Sequence, residues 1–210
     1  MTDAFEQSGL LRIQSPLGAN DLLMEAFEGS EGLCEPFSFQ LFMRSESSDL
    51  DATQIVGKSV TVTIDLDGGP KRYFNGIVSR FVQTGGEDGL ARYRAEVVPK
   101  LWLLSLSRDR KIYQGKTIPE ILKSVLQEAG ITFEDKLTGT YTALEYCVQY
   151  DETTLDFVSR LMERAGIFYF FTFADGAHTL VLGDATSAHP DCSDTPKMRF
   201  FPESHSLCAV

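Results

Sequence analysis

Two hydrophobic spacings run along the chain, and they divide it. In the first half the spacing is two. Phe37, Phe39, Leu41 and Met43 alternate with Ser38, Gln40, Phe42 and Arg44, and Val60, Val62, Ile64 and Leu66 alternate more cleanly with Thr61, Thr63 and Asp65. Alternation of this kind marks strands that bury one face. Segments 10–14, 22–28, 72–82 and 93–98 complete a set of about six strands, with turn-rich residues between them at 15–21, 29–32, 67–70 and the Gly-rich, acidic 84–89. Gly76 interrupts segment 72–82 and predicts a bulge, the kind of bend that helps a sheet close into a barrel. The first half therefore reads as an antiparallel sandwich or barrel.

In the second half the spacing becomes three and four. Ile118, Ile121, Leu122, Val125, Leu126 and Ala129 share one stripe. Thr117 and Glu120 are placed as a capping box, Pro119 sits in the first turn and Gly130 stops the helix. A second helix carries Leu155, Val158, Leu161, Met162 and Ala165 on one face, so it is docked against something. Asp151, Thr153 and Thr154 offer oxygens to its first amides, Thr153 and Asp156 approximate a capping box, and Gly166 supplies a left-handed stop. Acids at 151–152 and Arg160 and Arg164 near the end complement its dipole. A short strand at 147–150 precedes it. Residues 167–173 form a run of aromatic and β-branched side chains, expected to be covered on both faces, and 174–177 turn that run into a returning strand at 178–182.

The fold class expected is α+β: an antiparallel β-barrel over 8–110, then a small α/β domain over 111–185 with two helices and a β-hairpin. Residues 186–210 form a linker or the start of something further.

The second half also carries a family likeness. Gln149-Tyr150, Glu152, FVSRLME at 157–163, GIFYFF at 166–171 and TLVLGD at 179–184 together resemble VgrG, the valine-glycine repeat spike family of bacterial type VI secretion. The N-terminal part of that family is similar to the hub protein of contractile phage baseplates. Residues 93–109, with PKLWLLSL at their centre, and the Ile112-Tyr113-Gln114 segment resemble the same family in the same order. The likeness implies a hub-like architecture that stops before the second barrel, as a fragment of a spike would. It further implies a homotrimer seated on a hexameric Hcp-like tube and touching baseplate proteins. Effectors or adaptors would attach through regions outside these residues. A contractile phage tail hub is the alternative that shares this fold and its mechanics.

Composition narrows the alternatives. The chain has 210 residues, 43% hydrophobic and 11% aromatic, with a net charge of -11. That length can bury roughly 70% of its unfolded surface, and so acidic a chain is a poor nucleic-acid binder. No segment approaches the roughly 20 apolar residues of a membrane helix, so no stable membrane insertion is expected. The opening residues lack a basic stretch followed by an apolar one, so no conventional signal peptide is read. Synthesis in the cytoplasm is expected, with the four cysteines reduced. Export would then follow the type VI route, which needs no cleavable signal.

Candidate chemistry is sparse. His189 with Cys192 and His205 with Cys208 form two pairs at a spacing of three, a set that could close a tetrahedral zinc site and support a zinc-dependent hydrolase. Zinc fingers place Cys pairs before His pairs, and short spacings recur by chance, so no metal is expected. Cys34 and Cys147 read as small apolar residues in sheets. No G-x-S-x-G elbow is present, and Gly68-Gly69 and Gly85-Gly86 lie in hairpin turns, where phosphate cradles do not form. Arg160 and Glu163 read as helix solubility and dipole matching in preference to an intersubunit contact, and Trp102, among three leucines, reads as core. Neither catalytic residues nor cofactors are expected.

Overall fold

Alternation in the first half of the chain builds one sheet. The computed structural model describes residues 10–18, 20–65, 71–87 and 89–190. Strands β1 (Leu11–Gln14), β2 (Leu23–Gly32), β3 (Glu35–Ser45), β4 (Ser59–Ile64), β5 (Arg72–Glu87) and β6 (Leu90–Val98) are all antiparallel. Their order is β1-β4-β5-β6-β3-β2. Phe39, Leu41 and Met43 lie opposite Val97, Ala95 and Tyr93, and all six are buried. The sheet curls until its two outer strands, β1 and β2, approach each other. No ladder joins them among the described residues. The expected barrel is thus a curled six-stranded half-barrel with an open seam.

Three local expectations are corrected. Residues 29–32 belong to β2, and the reversal comes at Leu33 and Cys34, where Cys34 has a φ of 61°. Gly29 is there for packing: a Cβ on it would stand 2.5 Å from Cδ1 of Phe39. Gly76 makes no bulge. It pairs in regular register with Val60, and the register shifts in β5 fall between Val78 and Arg80 and between Gln83 and Gly85. Its missing side chain admits neighbours instead, since a Cβ would meet Val97 Cγ1 at 2.6 Å, the Val98 carbonyl oxygen at 2.8 Å and Phe37 Cε2 at 3.1 Å. β5 also runs on through most of the expected 84–89 tip. Leu66 lies outside the described residues.

The second half follows a 3-10 turn at Lys100–Leu106. Helices α1 (Ile118–Glu128) and α2 (Thr154–Ala165) form where expected. Thr117 accepts from the Glu120 amide while the Glu120 carboxylate accepts from the Thr117 amide, a complete capping box. Thr153, alone of the three candidates, caps α2, and Gly166 ends it at a φ of 68°. Asp151 instead sits in a strand at a φ of 51°. Strands β7 (Arg108–Lys116) and β9 (Leu144–Thr153) pair as an antiparallel ribbon. Strands β8 (Phe133–Lys136), β10 (Phe168–Ala174) and β11 (Ala177–Gly183) form a sheet in the order β10-β11-β8, with β8 parallel to β11. Among the described residues no helix is long and apolar enough to cross a membrane.

Two apolar cores result, one inside the half-barrel and one around α1 and α2. Leu101 and Leu104 already belong to the helical core. Strand β10 joins the two. Its residues 169, 171 and 173 share one face: Tyr169 is buried in the helical core, Phe171 touches both cores, and Phe173 packs into the half-barrel. The expectation that β10 is covered on both faces holds only in part, because Thr172 is exposed and Phe168 and Phe170 are half-buried.

Candidate functional site

The junction made by β10 and β11 holds a polar group bonded at both of its nitrogens. Phe171 meets Phe37 edge-on at 5.0 Å between ring centroids, and Phe173 lies 5.2 Å from Phe37, 5.9 Å from Phe39 and 5.5 Å from Phe74. His178, paired with Phe173 across the hairpin, enters the same cluster edge-on to Phe37. Its Nε2 accepts the backbone N–H of Lys100 at 3.1 Å, which leaves the proton on Nδ1, and Nδ1 donates to Asn75 Oδ1 at 2.8 Å. Asn75 in turn directs its Nδ2 at Ser59 Oγ, the Val60 carbonyl and Thr61 Oγ1, at 2.9 to 3.1 Å. Burial, helped by the Lys100 charge, pulls the His178 pKa down to about 4. At neutral pH the ring is uncharged and both nitrogens are engaged. No lone pair is left for a metal or a substrate; the group is a latch between the two cores.

The helical half has two further latches. Arg160 forks onto Glu152, with Nε and Nη2 at 2.8 and 2.6 Å from its two carboxylate oxygens, and Nη2 also donates to the Val148 carbonyl at 2.7 Å. The guanidinium lies over the Phe157 ring at 5.1 Å. Arg160 therefore ties α2 to β9 and does more than solubilise a helix; its hydrogen bonds hold the Glu152 carboxyl below its usual range. Asp184, after β11, accepts from the amides of Thr138 and Gly139 and from the Thr138 and Tyr141 hydroxyls, at 2.7 to 3.1 Å. The Thr138 amide first, then the Tyr141 hydroxyl, hold its carboxyl at about 2.

Outward, the ribbon offers a surface. Register sets Arg110 opposite Tyr150, Ile112 opposite Val148 and Gln114 opposite Tyr146 on one face. Tyr150, Ile112 and Tyr146 are all exposed. The opposite face is covered, with Cys147 buried and Tyr113 stacked on Phe157 at 5.6 Å.

Other residues singled out from the sequence fall elsewhere. His189 is exposed and stacks on Phe168 at 4.6 Å, while Cys192, His205 and Cys208 lie outside the described residues. Among the described residues no three His, Cys, Asp or Glu side chains gather as a metal site would require. Trp102 is half-buried and not in the core: along the 3-10 turn only Leu101 and Leu104, three apart, point inward. Cys147 is buried as expected, but Cys34 is exposed at the hairpin tip, its amide bonded to the Tyr169 carbonyl at 2.9 Å. An open groove beside β1 is lined by Arg12, Lys71, Tyr73 and Asp175 among others. Its cations face Asp65 at 3.7 and 3.4 Å, an ordinary surface ion cluster. Sequence reasoning missed His178, Asn75 and Asp184. The available signals were a histidine opening an otherwise apolar strand and an acid closing it.

Comparison with known proteins gives a consistent result. The family described as phage tail baseplate hub (GPD) matches residues 30–207. The type VI secretion system spike protein VgrG1b of Pseudomonas aeruginosa is 40% identical over 198 residues, which cover 94% of this chain and 27% of that protein. VgrG1a of the same organism is 41% identical over 194 residues, covering 92% and 30%. The chain thus spans less than a third of the length of these relatives. Among solved structures, an E. coli component of the type VI secretion system aligns with a TM-score of 0.73 and 28% identity, over 84% of this chain and 49% of that one. That protein is itself described as structurally similar to the T4 bacteriophage tail proteins gp27 and gp5.

Proposed function

Since the chain belongs to the phage tail baseplate hub family, as the hub-like region of a VgrG spike protein, we propose that it is a mechanical part of a type VI secretion machine. Three copies form a hub around a common axis, seated on a hexameric Hcp-like tube and held among baseplate proteins until firing. Contraction then drives hub and tube outward together with effectors, and the protein leaves the cell by that route. The half-barrel serves as the first of two hub barrels, with the helical unit placed ahead of the second.

The observation that carries this reading is the extent of the likeness: identity of 40% runs across 94% of the chain, through both cores and the strand that joins them. The latches fit a load-bearing role. A hub that transmits an axial push has to move as one body, and His178, Phe171 and Phe173 bind the two cores where they would otherwise hinge. No step calls for turnover.

Deleting the gene in its own strain, after the other spike genes have been removed, should stop release of the tube protein into the medium, and a plasmid copy should restore it. Undiminished release from the deleted strain would refute the reading.

A further inference from the structure

The two cores meet over a narrow front. The chain crosses from one to the other where β6 ends at Val98 and Pro99 leads to Lys100, which opens the 3-10 turn. Polar contacts across the front are made by the Cys34 amide on the Tyr169 carbonyl at 2.9 Å and by the His178 ring on Asn75 at 2.8 Å. Its apolar part is Phe171 and Phe173 against Phe37, Phe39 and Phe74. None of the strand ladders crosses it, because β10, β11 and β8 form a sheet separate from that of the half-barrel. The cores can therefore part without losing a strand pairing.

The His178 ring has no place for a second proton. Nδ1 carries the first, so the second can go only to Nε2, where the Lys100 amide donates at 3.1 Å. Two N–H groups would then face each other with no acceptor between them. Asn75 cannot turn to help, because its Nδ2 is held by Ser59 Oγ, the Val60 carbonyl and Thr61 Oγ1, which keeps Oδ1 on the ring. The ring is faced by Phe37 of β3, Asn75 of β5, Phe171 of β10 and, from the link, Lys100. Lys100 is the one charged group among the described residues that acts on it, and its charge has the sign of an imidazolium. Cys34 and Glu35, at the β2–β3 reversal, act on Tyr169 instead.

We propose that this junction is an acid-released hinge: a second proton on His178 expels the ring from between Lys100 and Asn75, the β10–β11 hairpin leaves the half-barrel, and the two cores part about Pro99 while each stays folded. The Lys100 amide is the sensing element, since it makes the protonated ring a misfit. The hinge is a property of the two cores, so it stands apart from the spike role, which tube release judges separately.

The test is amide hydrogen exchange in the full chain from pH 7 to pH 5, corrected for the intrinsic pH dependence of exchange. Opening of the hinge exposes the Cys34 and Lys100 amides and leaves both cores folded. These two should exchange faster than the slowest amides of α2 and β3, with little dependence on urea below the unfolding transition. The ring takes its proton near pH 6.5 once exposed but only at about 4 in place, so protection of both amides should fall roughly 20-fold over this range. In His178→Leu the Cys34 amide should lose that pH dependence. Lys100→Gln keeps the backbone donor and should keep the slope. Lys100→Pro removes the donor at a site that accepts proline, the first residue of a turn after an extended Pro99 with a ψ of 157°, and should flatten the slope. Cys34 and Lys100 amides that exchange only as slowly as the core amides, or fast but without pH dependence, overturn the proposal. A slope in His178→Leu or Lys100→Pro as steep as in the wild type overturns it as well.

Discussion

The half-buried histidine at the junction makes the protein sensitive to mild acid in a calculable way. In the unfolded chain His178 takes up a proton near pH 6.5, but in the folded protein burial and the Lys100 charge delay this until about pH 4. The unfolded state therefore gains protons first as the pH falls. Stability is complete above pH 6.5, declines through the interval and levels off below about 4. Between pH 7 and pH 5 this amounts to about 2 kcal/mol. The carboxylates held low by hydrogen bonds, Asp184 and Glu152 among them, exchange their protons mainly below that window. Urea unfolding at a series of pH values between 7.5 and 5 should show the loss directly. In His178→Leu the Lys100 amide and Asn75 Oδ1 both lose their partner on this side chain, and nothing is left there to titrate. At pH 7 the variant should be less stable by about 1 to 3 kcal/mol, yet its stability should stay nearly flat where the wild type falls, so the gap narrows toward pH 5. Equal pH slopes in the two proteins would refute the assignment of the proton to this ring.

Two further outcomes follow from the geometry. Gly76→Ala should lower the unfolding free energy by about 1 to 3 kcal/mol, because the added carbon meets the Val98 carbonyl oxygen at 2.8 Å and backbone cannot swing away; an unchanged midpoint in urea would show that the strands part more easily than the packing implies. Asp184→Asn should loosen the loop it anchors, seen as faster amide exchange at Thr138 and Gly139. The wild-type contribution, present above about pH 4, should fade as the pH drops toward 2, and exchange equally slow in both proteins would remove the carboxylate as the anchor.

What the sequence made legible was whatever depends on near neighbours. The caps of α1 and α2 are contacts three residues apart, Thr117 with Glu120 and Thr153 with Asp156, so they can be seen in the string. The alternation of β3 was equally plain, since a buried face repeats every second residue. What depends on distant partners was hidden. β8 is four residues, FEDK, with no pattern of its own, and exists because it lies parallel to β11. His178 and Asn75 are 103 positions apart, and neither looks unusual until the fold brings them together. Trp102 misled because a 3-10 turn buries every third residue, a period too short-lived in a seven-residue segment to stand out. Cys34 misled because its turn is fixed by the Tyr169 carbonyl, far along the chain. The open seam of the half-barrel was not legible either: strand number can be counted from alternation, but closure is a matter of curvature and stagger.

The strand that joins the two cores also sets an order of events during synthesis. All six strands of the half-barrel have left the ribosome once Val98 emerges, yet Phe171 and Phe173, which fill part of its interior, are still untranslated. At ordinary elongation rates the interval lasts roughly 4 to 15 s. Throughout it the nascent sheet holds Phe37, Phe39 and Phe74 without their covering rings. A nascent chain stalled after Val98 should accordingly be cut by protease far faster than one stalled well past Gly183. The first half of this protein therefore waits, sticky and incomplete, for a hairpin made later, and the cell's holding chaperones have a defined time in which they are needed.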